Sequence, residues 1–253
     1  PVKLTLGNTL GGHSGDDINK GRINTVQQMA RFLYSEMQEN QFQLILLSGG
    51  NKPNAIAREC EAIVTVAEPE GIVGRFKAFG ECLRNEYHRT DPGIEASAGK
   101  FRCTEKPVDS SVAARLITAL AACPHGVEKM SQDIEDLVET SSNLAIINIG
   151  GGKASLQILA RSSREDMKDY IVKTLESCFS MAGMKVETAG SYGGWDPNPE
   201  SPILHLLLKE YKELFGKDGI IQVDHAGLEC SIILGKYPHL DVVSLGPTMK
   251  SPH

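Results

Sequence analysis

Two stretches of this chain run through one and the same order of elements. Phe42 to Leu47 is a compact apolar run ending at Ser48-Gly49-Gly50; a second run, Ala62 to Ala67, follows it. Then Ile72, Phe76, Phe79, Leu83 and Tyr87 recur at helical spacing. Further along, Leu144 to Ile149, the triplet Gly150-Gly151-Gly152, the run Ser155 to Ala160 and a helical pattern from Ser163 to about Met181 repeat that order. Short apolar runs joined across glycine turns pair as neighbouring strands. A helix with a single apolar stripe must bury it against such a sheet. The order therefore predicts a two-layer α+β domain, a sheet covered by helices, and it points to an internal duplication. An α+β domain can also show this order by chance, and both readings stand at this level.

The rest of the chain fits that scheme. Val2, Leu4 and Leu6 alternate as in a strand, and Ile23, Val26, Ala30, Leu33 and Met37 mark a helix after it. Thr90 to Ser110 mixes Pro, Gly, Ser and charge without a period, which predicts a long loop with one short strand. Val112, Leu116 and Leu120 mark a helix broken at Pro124 and Gly126. Composition changes at Tyr192 to Pro199, where glycines, prolines and the single Trp cluster, so a domain boundary is expected there, with residues 1–192 before it and 193–253 after it. Beyond it, Ser201-Pro202 reads as an N-cap with a first-turn proline and Gly216 as the end of that helix. Ile220 to Val223 and Leu240 to Leu245 read as buried strands flanking a short helix from Gly227 to Leu234.

Composition narrows the function. The net charge of −6, with Lys and Arg dispersed, argues against a nucleic-acid partner, which needs a clustered basic face. No run approaches the roughly 20 apolar residues of a membrane span and no charged leader precedes an apolar run, so the sequence reads as a soluble protein with no membrane partner. Six Cys without a CxxC pair, mostly in apolar segments, read as buried reduced thiols of a cytoplasmic protein.

Four short segments carry side chains suited to chemistry. In Gly11 to Asp17, His13 sits among glycines between a strand and a helix, where backbone can approach a ligand. Ser14, Asp16 or Asp17 can cap the helix, which leaves His13 unexplained. A serine-hydrolase elbow fails on spacing, because Asp16 occupies the place of the second glycine. A His that polarises a carbonyl or meets an oxyanion is the third reading. In Ser48 to Glu59, Asn51 and Asn54 flank Pro53 in a turn that can turn an amide outward. Arg161 ends a strand and can bind a carboxylate bidentately, although a lone arginine is more often an ordinary surface residue. In His225 to Cys230, His225 and Glu229 share a helical face as metal ligands sometimes do, although a local ion pair or a helix cap is the commoner meaning of that spacing, and Gly227 can bring a backbone N–H to an anion. His88, His125, His205 and His239 have no convergent neighbours and receive no role.

Taken in order, GGHSGDDI, NKPNAIARE, the Arg161 strand end, YGGWDPNPESP, HAGLEC and VSLGPTMKSPH resemble the cytosolic aminoacyl-histidine dipeptidases, a carnosinase-like family of co-catalytic metallopeptidases. In that family a catalytic domain holding two divalent metals, usually zinc, with manganese or cobalt as alternatives, is interrupted by a lid. The resemblance implies that residues 1–192 are a substrate-binding lid that can also dimerise. Residues 193–253 would then be an incomplete α/β segment of the metallopeptidase domain, and the chain part of a longer enzyme. It implies His13 as the oxyanion-stabilising lid histidine, which dimeric relatives can supply from the neighbouring subunit. Asn54, Arg161 and Gly227 would contact a dipeptide, with Arg161 on its terminal carboxylate, and His253 would be the last metal ligand. The remaining ligands and the general-base glutamate would lie outside this sequence, which makes the chain alone inactive. Ser231 departs from the glycine expected there. A non-catalytic binding or dimerisation module is the alternative.

Overall fold

The computed structural model describes residues 1–132, 134–191, 193–195, 198–221 and 229–246. It contains β1 (Val2–Gly7), β2 (Gly12–His13), β3 (Phe42–Gly49), β4 (Ala55–Ile56), β5 (Cys60–Val66), β6 (Glu95–Lys100), β7 (Gly126–Met130), β8 (Val138–Gly150) and β9 (Lys153–Ser162). The helices are α1 (Thr25–Glu39), α2 (Pro69–Glu86), α3 (Ser110–Ala122), α4 (Glu165–Met181), α5 (Pro202–Phe215) and α6 (Glu229–Lys236).

The main sheet is antiparallel in every pairing and runs β6, β1, β5, β3, β8. Residues 140–142 of β8 pair with both β7 and β9, and 147–149 pair with both β3 and β9. Thus β9 takes one edge of β8, while β7 and β3 share the other and leave residues 143–146 between them without a strand. Backbone groups in that gap still need partners. Side chains supply them: the Leu144 N–H donates to His125 Nδ1 at 3.2 Å, and Asn24 Nδ2 donates to the Leu144 carbonyl at 2.8 Å. Ala145 is bulged out of register in the same gap, and Gly50 crosses over it at φ +68. A Cβ on Gly50 would run into the Ala145 carbonyl oxygen, so only glycine fits the Ser-Gly-Gly turn.

Helices α1 to α4 cover one face of this sheet and enclose the core. The stripes read from sequence are the ones buried: Val26, Ala30 and Leu33 of α1, Ile72, Phe76 and Leu83 of α2, and Leu116 and Leu120 of α3. Phe32 meets Phe76 edge-on at 4.8 Å, and the buried Glu36 carboxylate takes two hydrogen bonds of 2.8 Å from Arg75, so α1 and α2 are joined by both packing and charge. Asn24 caps α1 by accepting from Gln27 N at 3.1 Å while donating to Leu144, which fixes the start of the helix to the gap in β8.

The strand and helix order read from sequence is present: β3, β5, α2 and again β8, β9, α4. The two versions differ in their turns, since the first holds β4 and a chain crossing and the second a tight glycine triplet. Of the cysteines, all six free, only Cys60 and Cys123 are buried as expected; Cys103, Cys178 and Cys230 are partly exposed and Cys82 is exposed. Ser201 caps α5 through Leu204 N at 3.2 Å and Gly216 ends it in the left-handed region, as the sequence indicates. The buried strands expected at Ile220 and at Leu240 to Leu245 are not found. Ile220, Ile221, Leu240 and Leu245 are exposed and outside any strand, and an apolar run becomes a buried strand only beside a partner strand and a covering layer. Gln222 and Val223 lie outside the described residues. Helix α5 likewise turns Leu206, Leu214 and Phe215 to solvent.

Candidate functional site

Residues 8–24 form a loop across the edge of the β8 region, and its shape is set by two carboxylates. The fully buried Asp91 accepts from Leu10 N at 2.9 Å and Ile23 N at 3.3 Å, which clamps both ends of the loop. Asp17 accepts from the His13 N–H at 2.8 Å and from Lys20 at 2.7 Å, with Arg22 at 3.3 Å. Burial works against its charge, but the bonds from Lys20 and His13 and the charges of Arg22 and Lys20 hold its carboxyl below the usual range. Asp17 therefore stays ionised and braces the loop rather than acting as a proton carrier.

His13 lies in the short ladder β2–β4, opposite Ala55, with its side chain largely shielded. The Gly15 N–H approaches His13 Nδ1 at 3.3 Å, and Asp16 Oδ2 lies 3.5 Å from the same nitrogen. Nδ1 accepting from Gly15 leaves the ring proton on Nε2, the form that donates to developing negative charge, whereas the Asp16 carboxylate facing the same nitrogen favours a proton on Nδ1. Gly15 stacks so close to the ring that an added Cβ would sit 3.0 Å from His13 Cε1, which gives the glycine after Ser14 a steric reason.

Asn54 follows Pro53 at the turn into β4, and its carbonyl accepts from Ser14 N at 2.9 Å. Arg161 projects from β9 opposite Ser141, on the face away from the helices, since its neighbours Ile158 and Ala160 pack into the helix-side core. Its Nη2 reaches Ser14 Oγ at 3.5 Å. Asn143, one strand over, donates from Nδ2 to the carbonyls of Ala55 at 2.8 Å and Pro53 at 3.3 Å. Three residues singled out separately in the sequence, His13, Asn54 and Arg161, thus meet around Ser14. Gly227, His253 and His225 lie outside the described residues, and so does the side chain of Glu229, which opens α6. Among the described residues no three His, Cys, Asp or Glu side chains gather to hold a metal ion; His253, the ligand expected from the resemblance, is not among them.

Sequence reasoning missed the inner half of this cluster. It began the strand at Leu144, whereas β8 begins at Val138, and Glu139, Ser141 and Asn143 are buried along it. The available signal was a run of Val, Thr and Ser without Gly or Pro, compatible with a strand despite its polarity. His125, given no role, is a structural acceptor for β8, and burial pushes its pKa down to about 4.

Comparison with known proteins bears on what this cluster is for. Residues 4–90 match the peptidase dimerisation domain family. The cytosol non-specific dipeptidase of Escherichia coli (strain K12) is 35% identical over 253 residues, which is 99% of this chain and 52% of that protein. The chain resembles the cytosolic dipeptidases throughout its length. The crystal structure of aminoacylhistidine dipeptidase from Vibrio alginolyticus superposes with a TM-score of 0.92 at 34% identity, again over 99% of this chain and 52% of that one. The chain spans about half the length of these dipeptidases. The dimerisation-domain match falls on β1 to α2 with the loop carrying His13 and the turn carrying Asn54, whereas Arg161 comes from β9, well beyond it.

Proposed function

We propose that the intact protein is a metal-dependent dipeptidase and that this chain supplies the groups that hold the substrate. The observation that carries this reading is the meeting of His13, Asn54 and Arg161 around Ser14, in a chain alike throughout to dipeptidases. Arg161 offers a planar fork to the terminal carboxylate of a short peptide, and binding that end limits peptide length. Asn54 orients the peptide beside it, and Gly227 adds a backbone contact. His13, protonated on Nε2, donates to the oxygen on which charge develops when the peptide carbonyl is attacked. Dipeptides of broad sequence, including those ending in histidine, are the substrates proposed.

Residues 1–192 are proposed as the lid, with an internal duplication supported by the recurrence of an antiparallel pair followed by a helix, and 193–253 as part of the catalytic domain. The exposed apolar faces of α5 and α6 suit a segment covered by the rest of that domain. His253 would contribute one ligand to a pair of divalent ions, zinc or else manganese or cobalt, held mainly by residues outside this sequence. Such ions, when bound, supply Lewis acidity to the carbonyl and its attacking water. Six free thiols and a cytosolic relative support a cytoplasmic setting. The peptidase dimerisation match supports a homodimer formed through the lid, and it also favours a second reading, a binding or dimerisation module without catalysis.

Turnover of dipeptides by the full-length protein with and without added zinc or manganese separates the two. Metal-dependent release of free amino acids by the full-length protein, and none by residues 1–253, is the expected result. Turnover by residues 1–253 alone would overturn the division of labour, and a full-length protein inert towards every dipeptide would favour the module.

A further inference from the structure

Among the described residues two buried side-chain polar atoms lack a hydrogen-bond partner, and they are complementary: Asn143 Oδ1, an acceptor, and Arg161 Nε, a donor. Buried polar atoms are nearly always satisfied, so each of these calls for an explanation. The Asn143 amide cannot be turned the other way. Its Nδ2 already gives hydrogens to Ala55 O and Pro53 O, and a flip would set oxygen against two carbonyls. Pairing between β8 and β9 is regular from Thr140 with Ser162 to Leu144 with Ile158, and it places Ser141 opposite Arg161. Asn143 is therefore the diagonal neighbour of Arg161 on one face, at a Cβ separation of about 7–8 Å that an arginine side chain spans easily. At the other end of the guanidinium, the 3.5 Å contact from Nη2 to Ser14 Oγ is long for a hydrogen bond and readily given up.

Resting on the reading of Arg161 as the carboxylate anchor, we propose that Asn143 is its positioning residue. Asn143 Oδ1 takes the Arg161 Nε–H when the Nη groups leave Ser14 for a ligand carboxylate. Pinning Nε fixes the plane of the guanidinium, so the ligand meets the two Nη groups end-on rather than the Nε side of the fork. The same amide holds the turn that carries Asn54, which ties the two substrate-facing segments to one side chain. This role explains why an asparagine sits fully buried in a strand where an apolar residue would pack at lower cost.

The test is an NMR titration of the full-length protein, labelled at arginine nitrogen, with N-acetylglycine as the carboxylate probe and Arg161→Lys to assign the signal. On saturation the Arg161 Nε–H resonance is expected to move downfield and its exchange with water to slow by about tenfold or more. Asn143→Leu is expected to weaken N-acetylglycine binding by about tenfold or more and to abolish that protection. If Asn143→Leu does not fold, the titration of the native protein decides alone. Saturable binding with an unchanged Nε–H signal, or equal affinity in a folded Asn143→Leu variant, would overturn the role of Asn143 and leave the anchor reading intact. A native protein that does not bind the probe would overturn the anchor reading itself, and this role with it.

Discussion

His125 offers a stability measurement whose size follows from where the ring sits. Its Nδ1 accepts the Leu144 N–H in the gap between β7 and β3, so the imidazole must be unprotonated on that nitrogen to close the gap. Burial lowers its pKa from 6.5 to about 4. A depressed folded pKa means that the unfolded chain binds the proton more readily. The stabilisation is therefore complete above pH 6.5, is lost as pH falls towards 4, and is gone below that. The slope in this window is about 1.4 kcal/mol per pH unit, which gives a loss of about 2 kcal/mol at pH 5 and at most about 3 kcal/mol in all. Part of the residue still meets solvent, so the total is an upper bound while the direction is set by the hydrogen bond. The assay is denaturant unfolding of native protein and His125→Gln from pH 7.5 to 3.5. Subtracting one curve from the other removes the carboxylates that titrate in the same range. The native protein is expected to lose the additional stability between pH 6.5 and 4, with β8 loosening next to Asn143. Parallel curves for the two proteins, or a His125 ring that titrates near 6.5 in the folded state, would refute the reasoning.

Gly50→Ala should lower stability by more than about 3 kcal/mol, because it adds left-handed strain to a clash with the Ala145 carbonyl; thermal and denaturant unfolding would show it, and a loss under 1 kcal/mol would mean that the crossing relaxes freely. Phe76→Ala, which empties a fully buried position between α1 and α2, should cost about 3–5 kcal/mol by the same measurement. In the full-length protein His13→Ala should lower kcat by about 10²-fold or more with little change in KM, since an oxyanion donor acts only as charge develops; an unchanged kcat would reduce His13 to a loop residue.

The parts of this fold that were legible in the sequence are those with one-sided apolar patterning. The stripes of α1, α2 and α3 and the strands β1, β3 and β5 could be read because a residue such as Leu4 or Phe76 has a single favourable place, inside. The start of β8 was illegible for the opposite reason. Asn143 is buried by what it bonds to, and a partner on a distant turn leaves no period in the sequence. His125 was passed over on the same ground, because its partner is a backbone N–H exposed by a gap between two strands, which only topology creates. The segments at Ile220 and Leu240 failed in another way: apolar character was read as burial, but exposed apolar runs arise where nothing among the described residues covers them. At the candidate site, residue types suggested roles one by one. Their meeting around Ser14 depends on β9 returning beside β8 and on a turn after Pro53 that presents the Asn54 carbonyl.

The central claim, that this cluster grips the free carboxylate of a short peptide, is tested most directly by comparing hydrolysis of a dipeptide with that of its C-terminal amide, in the full-length protein and in Arg161→Met. On the proposed function the native protein should favour the free carboxylate by about 10²-fold in kcat/KM, and Arg161→Met should erase most of that preference by losing activity on the acid while the amide changes little. A preference that survives Arg161→Met undiminished would contradict the account.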